Sequence, residues 1–262
     1  MFQGQLLIER VVVQYAPSVV AAMQERQHPA QGPNSAMAVA GNPTDDLPFA
    51  EVEAAAVARR FRCPALLRED AGLEAVVGVL SAADSAHIAA HAWFDQRDPL
   101  ASGILLAKRT VLDARRAMRE KLRLRLLVLS ACSTGQQMVR VSNSVSGLAR
   151  GFLYAGVRQL VLSLWPVNDL STMLLMDRFY SGLEQGLTSG EALRSAQMEL
   201  RAATNATIAR QFAEERRRAL KDRVLDEATA SDMWRRFALA EPNTRPFEHA
   251  YYWAPFFVTG AL

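Results

Sequence analysis

The chain has 262 residues, half of them hydrophobic, and 30 Lys and Arg against 27 Asp and Glu give a formal charge of +3. That apolar content suits one large α/β domain or two small ones, while so small and scattered a basic excess argues against a nucleic-acid surface. Two cysteines, Cys63 and Cys132, exclude a disulfide framework and zinc-ligand spacing. No basic start leads into an apolar run and no stretch is long enough to span a membrane, so the expected setting is reduced and cytoplasmic, with no membrane partner.

In chain order, residues 10–15 read as a strand stopped by Pro17, and residues 36–40 as another broken by Gly41-Asn-Pro43. A helix over 49–61 carries Val52, Ala55 and Ala56 on one face. A short strand at 64–67 and a short helix at 72–80 follow, then a strand over 85–90 that leads to His91. Residues 103–107 suggest an edge strand or hairpin and 112–121 a basic helix. The run Leu126-Leu-Val-Leu-Ser-Ala-Cys132-Ser-Thr-Gly135 reads as a strand buried on both faces. From Ser144 the helical period runs to Gly156, and residues 157–164 form a further strand ended by Trp165-Pro166. Helices are expected over 169–185 and 189–202. Residues 203–246 load one face with charge yet keep a partial apolar stripe, which reads as one or two amphipathic helices inserted in the domain, with a solvated charged face as the plainer alternative. Residues 252–260 return to strand chemistry, with Pro255 favouring a sheet edge. Strands alternating with helices of this length imply a mostly parallel sheet with helices on both faces.

In such sheets, chemistry gathers beyond the carboxyl ends of the strands. Cys132 and His91 both stand there, separated by 132 − 91 = 41 residues, room for a hairpin, a helix and the next strand. A thiol and an imidazole on neighbouring strand ends are the parts of a nucleophile pair. His87, four residues earlier on the same strand face, is expected to face the core or a neighbouring strand, and Cys63, beside Pro64 with no acid or histidine near it in sequence, to be structural. Asp169 opens a helix, where a capping or first-turn acid is the ordinary role, and Trp165 is an ordinary strand-end aromatic.

Six ordered blocks resemble the CHAT domain, a caspase-like protease module often found after tetratricopeptide repeats. They are Gly41-Asn-Pro with Leu47-Pro-Phe-Ala-Glu-Val-Glu53; His87-Ile-Ala-Ala-His91; Leu129-Ser-Ala-Cys-Ser-Thr-Gly135; Gly147-Leu-Ala-Arg-Gly-Phe-Leu-Tyr-Ala-Gly156; Ser163-Leu-Trp-Pro-Val-Asn-Asp169; and Tyr252-Trp-Ala-Pro-Phe256. The resemblance spans nearly the whole chain, so it implies a single caspase-like domain over 1–262, a three-layer α/β sandwich with a helical insertion at 203–246. It further implies a cysteine endopeptidase acting on a protein substrate in bacterial regulation or defence, with no cofactor and no metal. Cys132 is then the nucleophile and His91 its partner. The backbone N–H groups of Cys132 and Ala92 would form the oxyanion hole, and Asp169 and Trp165 would line a pocket for a basic side chain. Ala92 stands where the family usually has Gly, and alanine reaches positive φ less easily. That departure favours the alternative of an inactive CHAT scaffold for protein–protein interaction. A different doubly wound domain binding a small ligand gains little, because no strand–GxGxxG–helix unit is present. A tetratricopeptide-repeat region or protein is the expected partner, the chain being either a fragment of a longer protein or a trimmed gene product, and no third catalytic residue stands out in the sequence.

Overall fold

The computed structural model describes residues 5–16, 36–95, 97–133 and 141–260, and for residues 131–133 and 141–146 the backbone alone. Its strands are β1 (Gln14–Tyr15), β2 (Met37–Gly41), β3 (Ala65–Leu67), β4 (Ser85–Trp93), β5 (Gly103–Leu105), β6 (Val111–Asp113), β7 (Leu126–Ser133), β8 (Gln159–Ser163) and β9 (Phe256–Gly260). They form one sheet in the order β1-β9-β8-β7-β4-β2-β3, with the β5–β6 hairpin added to the far end of β4. The central strands β3, β2, β4, β7 and β8 run parallel, and β9 runs antiparallel to β8. All five residues of β2 are buried, as a parallel strand covered on both faces requires.

The helices are α1 (Pro48–Phe61), α2 (Leu73–Ala82), α3 (Ala114–Arg119), α4 (Val141–Tyr154), α5 (Asp169–Glu184), α6 (Ser189–Ala202), α7 (Asn205–Lys221), α8 (Glu227–Ala238) and the single turn α9 (Ala250–Trp253). Alternation along the strands divides the core in two. Val39, Val128 and Val161 face a cluster built with α1, α5, α6, α7 and α8, whereas Ala38, Ile88, Leu127 and Leu160 face α2, α3 and α4. The result is a three-layer α/β sandwich, a mostly parallel sheet with helices on both faces. Pro48 starts α1 at a position where its missing N–H costs no hydrogen bond. Gly156 ends α4 at φ +107°, and a Cβ there would lie 2.1 Å from the Leu122 carbonyl oxygen, so the chain turns into β8 only through a glycine.

Three expectations change. The strand over 10–15 shrinks to the two residues of β1, with Val11, Val12 and Val13 exposed, because the sheet ends there and offers nothing to bury them. The basic helix begins only at Ala114; Val111–Asp113 instead pairs with β5, and the Asp113 carboxylate accepts from Arg116 N at 2.6 Å to cap the helix. Pro255 does not mark an edge, since β9 lies between β8 and β1. It precedes the strand, so no ladder hydrogen bond is lost, and its carbonyl accepts from Leu164 N at 2.9 Å.

The 203–246 segment forms α7 and α8, packed on the α1–α5 side. Ile208 and Phe212 are fully buried, and the charge run is paired: Arg59 of α1 bridges Glu215 at 2.8 Å and Asp222 at 2.9 Å. No helix among the described residues is long and apolar enough to cross a membrane.

Candidate active site

The parallel strands bring the ends of β2, β4, β7 and β8 to one rim of the sheet. In the β4–β7 register His91 is the direct partner of Cys132, and Ala92 of Ser133. Neighbouring strands lie about 4.8 Å apart, so the two backbone positions are adjacent. The Cys132 side chain lies outside the described atoms. The His91 ring is described in full. Its Nε2 lies 3.0 and 3.1 Å from the two carboxylate oxygens of Asp46, while its Nδ1 is buried and has no hydrogen-bond partner among the described residues.

Asp46 is the site residue that sequence reading missed. It lies 45 residues before His91, in the connection between β2 and α1. Partial burial pulls its carboxyl upward, but hydrogen bonds from the Thr44 hydroxyl and His91 outweigh this and hold it below the ordinary aspartate value. A carboxylate accepting from Nε2–H fixes the tautomer, so that Nδ1 carries the lone pair. The available signal was weak: an acid just after the Gly41-Asn-Pro43 turn that ends β2, the strand next to the histidine's.

His87 faces the core, as expected. It is fully buried, its Nδ1 lies 2.9 Å from the Tyr180 hydroxyl, and its Nε2 lies 3.0 Å from Glu53 Oε1. The second contact has the distance of an ion pair but not the angle of a hydrogen bond. Burial drives the Tyr180 phenol well above its usual pKa, and the neighbouring Glu53 adds to this, so the hydroxyl stays protonated. Ala89, on the same strand face between the two histidines, packs with Leu47 and Ala50 and separates the interior cluster from the rim.

Ala92 is fully buried, pairs across to Ile104 of β5, and is not among the non-glycine residues with positive φ. Alanine therefore stands there without backbone strain. Asp169 is the first residue of α5, but Asn168 is the cap: its side chain accepts from Ser171 N at 3.1 Å. Asp169 borders a cleft of about 440 Å³ whose walls include Phe49, Phe237, Phe247 and Arg236. Trp165 donates its indole N–H to the Tyr251 carbonyl at 3.1 Å, which ties the β8 end to α9. Cys63 is half-buried, and burial raises its thiol pKa, the environment of an unreactive cysteine. Among the described residues no group of three or more His, Cys, Asp or Glu is placed to hold a metal ion.

A family model described as the CHAT domain matches residues 2–261. Human tetratricopeptide repeat protein 28 is 25% identical over 74% of this chain, and the match spans about 10% of that protein's length. The Saccharomyces cerevisiae separase–securin complex superposes with a TM-score of 0.52 at 12% identity, covering 72% of this chain and 12% of that one. The Arg-specific cysteine proteinase gingipain R gives 0.44 at 9% identity over 86% of this chain and 45% of its own.

Proposed function

Because the chain belongs to the CHAT domain family, we propose that it is a cysteine endopeptidase that cleaves a protein substrate through Cys132 and His91. The observation that carries this reading is the His91 ring, with Nε2 held by Asp46 and a buried Nδ1 that has no hydrogen-bond partner among the described residues, on the residue paired in register with Cys132.

In this mechanism His91 Nδ1 takes the thiol proton of Cys132, and the thiolate attacks the scissile carbonyl carbon. A C–S bond forms and the carbonyl π pair moves onto oxygen. The backbone N–H groups of Cys132 and Ala92 stabilise that oxyanion. As it collapses, the C–N bond breaks and the amine leaves with the proton from Nδ1. Water, deprotonated by the same nitrogen, then cleaves the thioester and restores the thiol. Asp46 keeps Nδ1 the basic nitrogen and stabilises the imidazolium between the two steps. A reduced cytoplasmic setting suits a thiol nucleophile, and the repeat-containing relative supports a tetratricopeptide-repeat region as partner. The role expected for the fold is bacterial regulation or defence.

Substrate choice rests on Asp169. A carboxylate bordering an aromatic-walled cleft suits a basic side chain before the cut, since a guanidinium bonds it bidentately. Asp169→Asn leaves the Asn168 cap in place and removes the charge, so it is expected to lower the basic preference roughly tenfold. A peptide library compared between the two proteins checks this, and an unchanged preference refutes the pocket role. The inactive-scaffold reading loses its main support, since Ala92 adopts no conformation that glycine alone reaches easily. The deciding experiment is labelling with a thiol-reactive peptide probe. Loss of labelling in Cys132→Ala supports the peptidase, and a wild-type protein that neither labels nor cleaves any peptide in a library overturns it.

A further inference from the structure

Asp46 sits in a turn that the sequence does not hold by itself. Two non-glycine residues of this turn are left-handed, Asn42 at φ +49° and Asp45 at φ +58°. Asn and Asp tolerate this region better than most residues, but such backbone persists only where its surroundings over-determine it. Here they do. Asn42 is buried, and its backbone N–H donates to the Ala89 carbonyl at 2.9 Å, two residues before His91 on β4. Its side-chain oxygen accepts from Leu47 N at 2.8 Å, and its amide nitrogen donates to Glu51 Oε2 at 2.7 Å. Asp45 N closes the turn onto the Asn42 carbonyl at 3.1 Å.

Glu51 is the anchor of this arrangement. An acid in the first turn of a helix ordinarily faces solvent or the free N–H groups at the helix start. Glu51 is instead 3% exposed. Its carboxylate takes Asn42 on one side and Arg68 Nε, at 2.8 and 3.0 Å, on the other. Arg68, itself left-handed at φ +50°, also reaches Asp45 Oδ1 at 3.2 Å. The Arg68–Glu51–Asn42 chain therefore bolts both ends of the 42–47 turn, with Asp46 between the bolts, and ties the turn to the strand that carries His91.

We infer that Glu51 is a positioning residue of the catalytic site: through Asn42, and held by Arg68, it sets the turn that presents Asp46 to His91. This rests on the peptidase reading above, with Asp46 orienting the base. Without the Glu51 carboxylate, Asn42 loses its partner and the turn loses the contact that fixes its register. Asp46 then no longer spans Nε2 with both oxygens, and the fraction of His91 rings presenting Nδ1 correctly falls. Displacements of about 1 Å in such groups cost up to roughly a hundredfold in rate.

The test uses the full chain and the variants Glu51→Gln, Asp46→Asn and the double variant, with kcat and KM on a cleavable peptide and the 15N shifts of the His91 ring at fixed pH. Glu51→Gln is expected to lower kcat by up to about tenfold, no more than Asp46→Asn does, with little change in KM, and to move the His91 ring shifts toward those of Asp46→Asn. The double variant is expected to match Asp46→Asn alone, because both changes break the same contact. Losses that multiply in the double variant, or a folded Glu51→Gln protein with wild-type kcat and ring shifts, overturn the inference. If Glu51→Gln does not fold, Arg68→Gln serves in its place, since the Arg68 side chain is 47% exposed. It is expected to move the ring shifts the same way by less, with Arg68→Lys closer to wild type, and wild-type shifts in Arg68→Gln refute the role. Should the wild-type protein fail to cleave or label, the peptidase reading falls, and the His91 shifts judge the positioning role alone.

Discussion

The interior end of β4 and its rim end present histidines on the same strand face, four residues apart, in opposite surroundings. At His87 the face is sealed by α1 and α5, and both ring nitrogens look onto buried groups, the Tyr180 hydroxyl and the Glu53 carboxylate. At His91 one nitrogen meets a carboxylate that is 60% exposed and the other has no partner among the described residues. Ala89, with Leu47 and Ala50, keeps the two apart. A histidine and an acid within 3 Å therefore do not mark a site on their own. What separates the two is whether the second nitrogen faces a buried carboxylate, as at His87, and whether the pair stands at the strand end, as at His91.

The sharpest way to break this comparison is to remove each ring. His91→Ala is expected to lower peptide turnover by about 10²–10⁴-fold with an unfolding midpoint near wild type. His87→Ala is expected to keep turnover close to wild type at low temperature while costing about 1–3 kcal/mol of stability, because Glu53 and Tyr180 are left buried without their partner. Urea unfolding beside kinetics separates them, and a large rate loss in a stable His87→Ala protein would erase the distinction.

Asp46→Asn follows, with an expected loss of roughly tenfold in kcat, since the amide can still touch Nε2 but no longer favours the imidazolium. Asp46 also carries a pH signature. Its folded pKa lies below the unfolded one, so its contribution to stability is present above the ordinary aspartate value and is lost as pH falls through the folded value. The stability gap between wild type and Asp46→Asn should thus be small and should vanish in strong acid, as read by denaturation at several pH values. A gap that persists in strong acid would contradict the Asp46–His91 contact.

On the interior side, Tyr180→Phe keeps the ring packing but strips His87 Nδ1 of its hydrogen bond. About 1–2 kcal/mol of stability should be lost with turnover unchanged. The smallest effect is expected at Cys63, where Ser substitution should cost at most about 1 kcal/mol and leave probe labelling of the folded protein intact. Burial raises the Cys63 thiol pKa, so mass spectrometry after brief alkylation near neutral pH should find the modification at Cys132 well ahead of Cys63.

The elements that sequence located well are those whose signal is local. The apolar run at β7, the mostly apolar stretch leading to His91 and the glycine ending α4 report their own backbone state, and Ser189–Ala202 has the bounds that the helical period gives. Side chains engaged far along the chain were illegible. Glu51 and Glu53 look like ordinary polar positions of an amphipathic helix, yet both are 3% exposed. Each is buried because a partner in another element, Arg68 or His87, comes to meet it. The 203–246 segment shows the same limit. Its charges suggested inserted amphipathic helices or a solvated face, but Arg236 and Phe237 of α8 wall the cleft that Asp169 borders, so we propose that the segment also shapes substrate choice.

Periodicity, strand-ending punctuation and the order of the motif blocks determined the parallel sheet, the strand ends and the residues that stand on them. They follow from interactions within a few residues, which any folded context preserves. Tertiary structure alone decided that Asp46 meets His91 across 45 residues and that Asn42 and Asp45 are left-handed. It also decided that a cleft forms between α5 and α8. Each of these depends on where a side chain points once distant segments pack, and turn backbone of this kind is stable only under contacts that the sequence does not announce.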